Sequence, residues 1–488
     1  EDKMFIIHTT VVVSTILSMV TCFFSIFTSL SEAYGLAFLM PSVFMIIYGL
    51  VYGPLIRKES IRLSAATIIF FSWLRCVIMP MFGIWSGYYQ NMSAYATVDS
   101  TKKAILLLTI EQIAVGITLM IYSQGKRKRI ERFATDLRLV GGIPAYLIFI
   151  VGAFAFFAVF GDISSIEFII KPVGTGSRGG DTVDTGERLV NRVLAVALLV
   201  IFLIVVEKMR QADLFEEKDW HMTVALIFAL LIVSIISGER RTAQVYKAFC
   251  TIWLLTRVFP QRSKTIVITI ASLSVFMISM MSIYKFFNAF LHDSYATAIG
   301  SSNIDITWIS KTLESYFYGI KMVAANVGFA DIADLGIKNM FFDFARSTFG
   351  LSFFLKKYML TTSEIYNSIR YSGSQSTGYL YSSVAYGYTY LGFLLSPLIT
   401  IFNILTTLKL EDWLRRSRSL EMTYIFSYMF IRFAFGVFSN PAPLISTATT
   451  YFAITGLVVL AARPFGEKTP GKYLSQNARK YSKSVGSL

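Results

Sequence analysis

At 488 residues, with 55% hydrophobic and 15% aromatic side chains and a mean hydropathy of +0.59, the chain is too apolar for a soluble globular protein. A formal net charge of +15 would point to nucleic acid in a soluble chain. Here the basic clusters sit between apolar runs and at the C-terminus, so they report topology instead. Cys22, Cys76 and Cys250 all fall inside apolar runs, which argues against a disulfide framework or a cysteine metal cluster.

Apolar runs of about 20 residues predict twelve membrane-spanning helices, over 5–30, 35–56, 63–84, 102–123, 139–160, 189–207, 221–237, 240–259, 265–290, 376–408, 421–438 and 446–463. The first follows Glu-Asp-Lys, carries no small-residue cleavage site, and reads as an anchor rather than a removed signal peptide. The spans at 221–237 and 421–438 are short. Arg57-Lys58 with Arg62, the run Lys126 to Arg129, Lys208 with Arg210, Arg262 with Lys264, and Arg415-Arg416 with Arg418 all fall on one face, joined by the tail. The positive-inside bias makes that face cytoplasmic and puts both termini inside. The expected fold is therefore all-α: a polytopic integral membrane protein with N-in and C-in topology.

Its parts are nine spans over 1–290 with a smaller external loop at 161–188, a large external loop at 291–376, three spans over 377–463, and a basic tail at 464–488. The large loop holds enough apolar residues, such as Phe341-Phe342 and Phe353-Phe354-Leu355, to pack short helices on the membrane. The tail reads as a disordered segment able to touch anionic lipid.

Charges within spans are costly, about 2.5–3.5 kcal/mol each on insertion scales, and mark functional or paired positions. Arg75 and Glu111 lie at equal depth on neighbouring antiparallel spans, so an ion pair is expected. The eighth span opens Ser237-Gly238-Glu239-Arg240-Arg241-Thr242, and Arg240, Gln244 and Lys247 share one helical face. An arginine at a helix start offers both a guanidinium fork and free backbone N–H groups, the equipment for phosphate. Snorkelling explains Arg241 well and the deeper Lys247 poorly. Arg178 stands in a glycine-dense loop from Gly174 to Gly180, and Arg192 just inside the sixth span points to the same cavity; a plain flexible loop is the alternative. Arg370 precedes Tyr371 to Tyr379, after which Tyr379, Ser382, Ser383, Tyr386 and Tyr390 share a face. Tyrosines beside hydroxyls suit sugar rings, and an interfacial aromatic belt is the alternative. Arg432 near the end of the eleventh span is a further cation for such a cavity.

At these residues the chain resembles the Wzy polymerases of bacterial surface-polysaccharide synthesis. The resemblance lies in the span count, the two external loops of unequal size, the turn Gly238-Glu239-Arg240, and the stretch from Arg370 through Ser376-Thr377-Gly378 into Tyr386-Gly387-Tyr388-Thr389-Tyr390-Leu391-Gly392. The arginine-to-glycine spacing of some members is not kept after Arg178 or Arg370, whose matching positions are Leu189 and Tyr381.

The resemblance implies a GT-C-like glycosyltransferase of the bacterial inner membrane that polymerises undecaprenyl-pyrophosphate-linked oligosaccharide repeat units at its periplasmic face. A chain-length-regulating co-polymerase is an implied partner. Arg178, Arg240, Arg241, Arg370 and Arg432 would hold the pyrophosphate; Gln244, Tyr379, Tyr386 and Tyr390 would hold sugar. Arg240, Glu239 and His292 are the candidate catalytic groups, His292 being the one histidine expected outside. Asp293, Asp331, Asp334, Asp343 and Glu364 are further carboxylates of the long loop. No close carboxylate–histidine set suggests a divalent metal, so metal-independent chemistry without a cofactor is expected. An O-antigen ligase shares this layout, and a lipid-linked oligosaccharide flippase is the rival from the transporters, although the chain lacks symmetric halves and uniform loops.

Overall fold

The computed structural model describes residues 2–56, 63–90, 92, 94–125, 137–163, 166–168, 173, 185–216, 218–237, 242–301, 305–355, 357–370 and 380–466. Among these, eight helices are long and apolar enough to cross a membrane, or nine counting one bent pair. The chain is thus a helical, multi-pass membrane protein.

In chain order the first nine helices are α1 (Phe5–Phe27), α2 (Ser31–Ile56), α3 (Leu63–Trp85), α4 (Val98–Gln124), α5 (Ile143–Phe160), α6 (Leu189–Leu214), α7 (Asp219–Ser234), α8 (Thr242–Val258) and α9 (Pro260–Tyr284). Short helices follow: α10 (Tyr295–Gly300), α11 (Ile306–Phe317), α12 (Ile320–Ile332), α13 (Ile337–Ser347), α14 (Leu351–Leu355) and α15 (Thr362–Arg370). The chain ends in α16 (Ser383–Leu395), α17 (Leu398–Arg416), α18 (Leu420–Phe435) and α19 (Pro441–Phe465). The described strands, β1 (Ile166–Phe168) and β2 (Ile235–Ser237), pair antiparallel with Ile166 opposite Ser237. Large side chains such as Ile148, Val151 and Phe160 of α5 and Ile268 and Val275 of α9 are exposed, as a lipid-facing rim requires.

Two buried apolar clusters organise the bundle. One joins α1–α4 with α12, α16 and α17, and the other joins α6–α9 with α18 and Tyr451 of α19. Buried carboxylates tie the span ends together. Glu411 of α17 accepts from Leu63 N at 3.1 Å and Ser64 N at 2.9 Å, satisfying orphan donors at the start of α3. Glu421 of α18 accepts from Val140 N, Gly141 N and the Tyr146 hydroxyl just before and inside α5.

Two features depart from the expected layout. The run expected as one span over 376–408 is two helices, α16 and α17, bent by 114°. Gly392 makes the break with φ +77°, a conformation that side chains disfavour. The turn then brings the Ser396 carbonyl so close to Gly387 that a Cβ there would lie 2.0 Å from it. The long 291–376 segment carries short helices, yet α11 and α12 do not lie outside the bundle. They form a re-entrant hairpin. Going down α11, Thr307 Oγ1 donates to Ser86 O at 3.0 Å, Ser310 Oγ donates to Phe82 O at 3.0 Å, and the Phe317 ring reaches Phe71 at 5.4 Å. Returning along α12, Asp331 pairs with Lys103 at 3.1 Å near the start of α4. Tyr318, Ile320, Val323, Val327 and Phe329 consequently belong to the same buried cluster as Phe44, Tyr52 and Ile68.

Candidate active site

The hairpin tip meets a buried ion pair. In α3 the backbone opens into a π-helical turn over Leu74–Ile78. Pro80 supplies the reason: it has no N–H for the Cys76 carbonyl four residues earlier, and its ring crowds that carbonyl. Arg75 sits in this widened turn, 1% exposed. Its Nη1 pairs with Glu111 of α4, which is equally buried, as the equal depths predicted. Its Nε donates to the Tyr318 carbonyl at 2.8 Å, and the guanidinium lies 4.4 Å from the centre of the Phe438 ring. Glu111 in turn accepts from Ser383 Oγ at 3.0 Å and from Thr400 Oγ1. The ion pair thereby fastens α3, α4, α16, α17 and the hairpin tip to one point.

A second guanidinium approaches the same tip. Arg432 of α18 donates to the Tyr246 hydroxyl of α8 at 3.2 Å and lies 5.5 Å from the centre of that ring. Tyr318 lies within electrostatic reach of Arg432 and Arg75, beside Ser439 and Tyr246. Tyr318 itself adopts φ +57°, a left-handed conformation uncommon for a bulky residue. Two arginines from separate spans therefore converge on a strained turn inside the bundle, among hydroxyls from four segments. Guanidinium groups and hydroxyls gathered in this way are the donor types that bind an oxyanion.

A second pair of cations lies along α6 and α8. Arg192 of α6 and Lys247 of α8 line one small cavity with Tyr424, Thr450 and Tyr451; its free space of about 20 Å³ holds no more than a water. Gln244, one turn before Lys247, is fully buried, and neither its Oε1 nor its Nε2 has a hydrogen-bond partner. Among the described residues, this amide is therefore a buried polar group of the costly kind.

The remaining candidates divide. Arg178, Glu239, Arg240, Arg241 and Tyr379 lie outside the described residues. Arg370 is at the rim, where Nη1 donates to Ala94 O at 2.9 Å, and not at the hairpin tip. His292 faces Ser301 at 3.5 Å at the foot of α10. Tyr386 and Tyr390 do share a helical face, but it points into the protein. Tyr386 OH donates to Asp343 Oδ2 at 3.0 Å, Tyr390 OH meets Thr362 Oγ1, and both rings are buried. The expected sugar platform is here a lock between α16 and the helices α13 and α15. Asp343 also accepts from Thr362 N at 3.1 Å, and burial, against these donors, pushes its carboxyl up from its ordinary range. Alongside it Arg346 grips Glu364 through two hydrogen bonds.

Tyr318, Tyr246, Phe438 and Ser439 escaped sequence reasoning. The available signal was the Tyr318-Gly319 step between two helix-length segments of the long loop, each with apolar positions at helical spacing. Comparison with protein-family models, curated proteins and solved structures returns no match.

Proposed function

We propose that this chain is a membrane glycosyltransferase that polymerises polyprenyl-pyrophosphate-linked oligosaccharide repeat units, in the manner of the Wzy polymerases it resembles. The observation that carries this reading is the meeting of Arg75 and Arg432 at the tip of a re-entrant hairpin. Guanidinium groups and hydroxyls within a bundle whose rim is lipid-facing suit an anionic, lipid-borne substrate. In the reaction, an acceptor sugar hydroxyl attacks the anomeric carbon of the growing chain. The bond from that carbon to the carrier pyrophosphate breaks, the electron pair leaves with the pyrophosphate, and the acceptor proton passes to a base.

Arg432, joined by Arg240 and Arg178, neutralises the departing diphosphate, a role worth about 10²–10³ in rate per well-placed donor in other enzymes. Arg75, already committed to Glu111, shapes the electrostatic floor of the pocket. Arg370 at the rim receives the incoming headgroup. His292 and Glu239 remain the candidate bases, and Gln244 offers both a donor and an acceptor to sugar hydroxyls. On this reading the end that carries α10–α15 is the periplasmic face of a bacterial inner membrane. No metal or organic cofactor enters the scheme.

The test supplies purified protein with lipid-linked repeat units and resolves the products by size. A ladder of longer lipid-linked products is expected from the wild type. Arg432→Ala removes a half-buried side chain with one hydrogen bond to Tyr246, so the protein should stay folded while the ladder disappears, and Arg432→Lys should recover part of it. A full ladder from Arg432→Ala, or movement of the donor across the bilayer without a new glycosidic bond, would overturn the reading.

A further inference from the structure

At the opposite end of the bundle, the turn between α17 and α18 carries a groove unrelated to the arginine pocket. It has a volume of about 410 Å³ and is lined by Val140, Trp413, Arg416, Arg418, Met422 and Phe426 among others. The turn is held firmly from beneath. Arg138 N donates to Arg418 O at 3.1 Å, Leu420 N donates to Arg138 O at 2.9 Å, and Ser419 Oγ caps α18 by accepting from Met422 N at 3.0 Å. Glu421, just beyond the turn, is buried and turned toward Val140, Gly141 and Tyr146. The two arginines are exposed at the groove mouth.

The walls have a definite order. Met422 and Phe426 are one helical turn apart on α18, so they form an apolar strip running from the turn into the span. Across from them, Trp413 on the last turn of α17 is 43% exposed and packs its ring 5.6 Å from Phe426. Indole at a span end favours the level of lipid headgroups. A groove with cations at its mouth, an indole at headgroup level and an apolar strip descending into the span matches one amphiphile: anionic head outward, acyl chain inward.

We propose that this groove is a binding site for an anionic glycerophospholipid, its phosphodiester held between Arg416 and Arg418 and one acyl chain laid along Trp413, Met422 and Phe426. The planar guanidinium fork suits a phosphate oxygen pair. The site commits to a lipid rather than free phosphate because most of its wall is apolar and lies along spans.

The experiment is native mass spectrometry of the full chain released from nanodiscs of phosphatidylcholine, with and without phosphatidylglycerol, titrated for the bound-lipid fraction. The wild type should retain phosphatidylglycerol over phosphatidylcholine. Arg416→Ala/Arg418→Ala should weaken that retention about 30-fold, the loss expected for two surface cations at a membrane. Lys264→Ala, which removes an exposed cation from the start of α9, should leave it unchanged. Val140→Trp fills the groove while keeping both arginines, and should abolish retention as well. Unchanged retention in Val140→Trp would mean diffuse attraction to the basic face, and equal losses in Lys264→Ala and the double variant would mean the same. Either result overturns the proposal, as does displacement of the lipid by millimolar inorganic phosphate.

Discussion

Glu111→Gln should be the most damaging conservative substitution in the bundle. It keeps shape and volume but leaves the Arg75 guanidinium, 1% exposed, without its counter-charge. What remains for Arg75 is the Tyr318 carbonyl and the face of Phe438. Guanidinium cannot shed its proton, so the charge stays buried, and breaking such a pair costs about 3–5 kcal/mol. Arg75→Met is the milder change, because a lone carboxyl can take a proton and still accept from Ser383 and Thr400. The double variant Arg75→Met/Glu111→Gln should recover most of the loss, since a neutral pair no longer needs compensation. Equilibrium unfolding in mixed detergent micelles measures all three. A loss below about 1 kcal/mol for Glu111→Gln, the range of exposed pairs, would refute the reasoning, as would a double variant whose loss equals the sum of the singles.

Other outcomes follow from the same geometry. Asp343→Asn turns an amide donor toward Thr362 and Tyr386, which already donate. It should cost about 1–3 kcal/mol and expose the 337–370 segment to limited proteolysis. Gly387→Ala sets a methyl against the Ser396 carbonyl, and its cost of about 1–3 kcal/mol should appear as a lowered midpoint of thermal unfolding.

The apolar helices were legible because hydropathy is one-dimensional: among the described residues, each of the twelve expected segments overlaps a helix or, at 376–408, a bent pair. Eight meet the length and apolarity of a crossing by themselves, because α7, α8 and α18 are short and the tenth expected segment breaks at Gly392. The Arg75–Glu111 pair was also legible, since depth along a helix can be counted from its ends. The hairpin was not. Ile320–Ile332 has 13 residues, too few for a crossing, and a helix that re-enters between spans carries no hydropathy mark distinguishing it from one resting on the surface. Tyr386 and Tyr390 show the related limit: spacing reveals that side chains share a face, but the partner that face meets, Asp343 of a helix some forty residues earlier, lies beyond local pattern.

The hairpin gives the arginine pocket its character. With the tip in place, the Tyr318 carbonyl occupies the position beside Arg75 that an anion would take. Arg75 Nη2, in contrast, is buried without a hydrogen-bond partner. A hydrogen bond from a charged donor to a carbonyl is worth about 1.5–3 kcal/mol, while a left-handed conformation at a non-glycine residue costs about 1–2 kcal/mol. These two contributions nearly cancel at Tyr318, so moving the tip requires little free energy by itself. What resists movement is the apolar packing of α11 and α12 behind it. On the proposed reading, a diphosphate supplies two charge-assisted contacts where the carbonyl supplied one, so substrate charge rather than protein strain drives the exchange. On that same reading the tip keeps water away from the guanidinium groups until the charge arrives, and low dielectric around them strengthens each later contact with the leaving group.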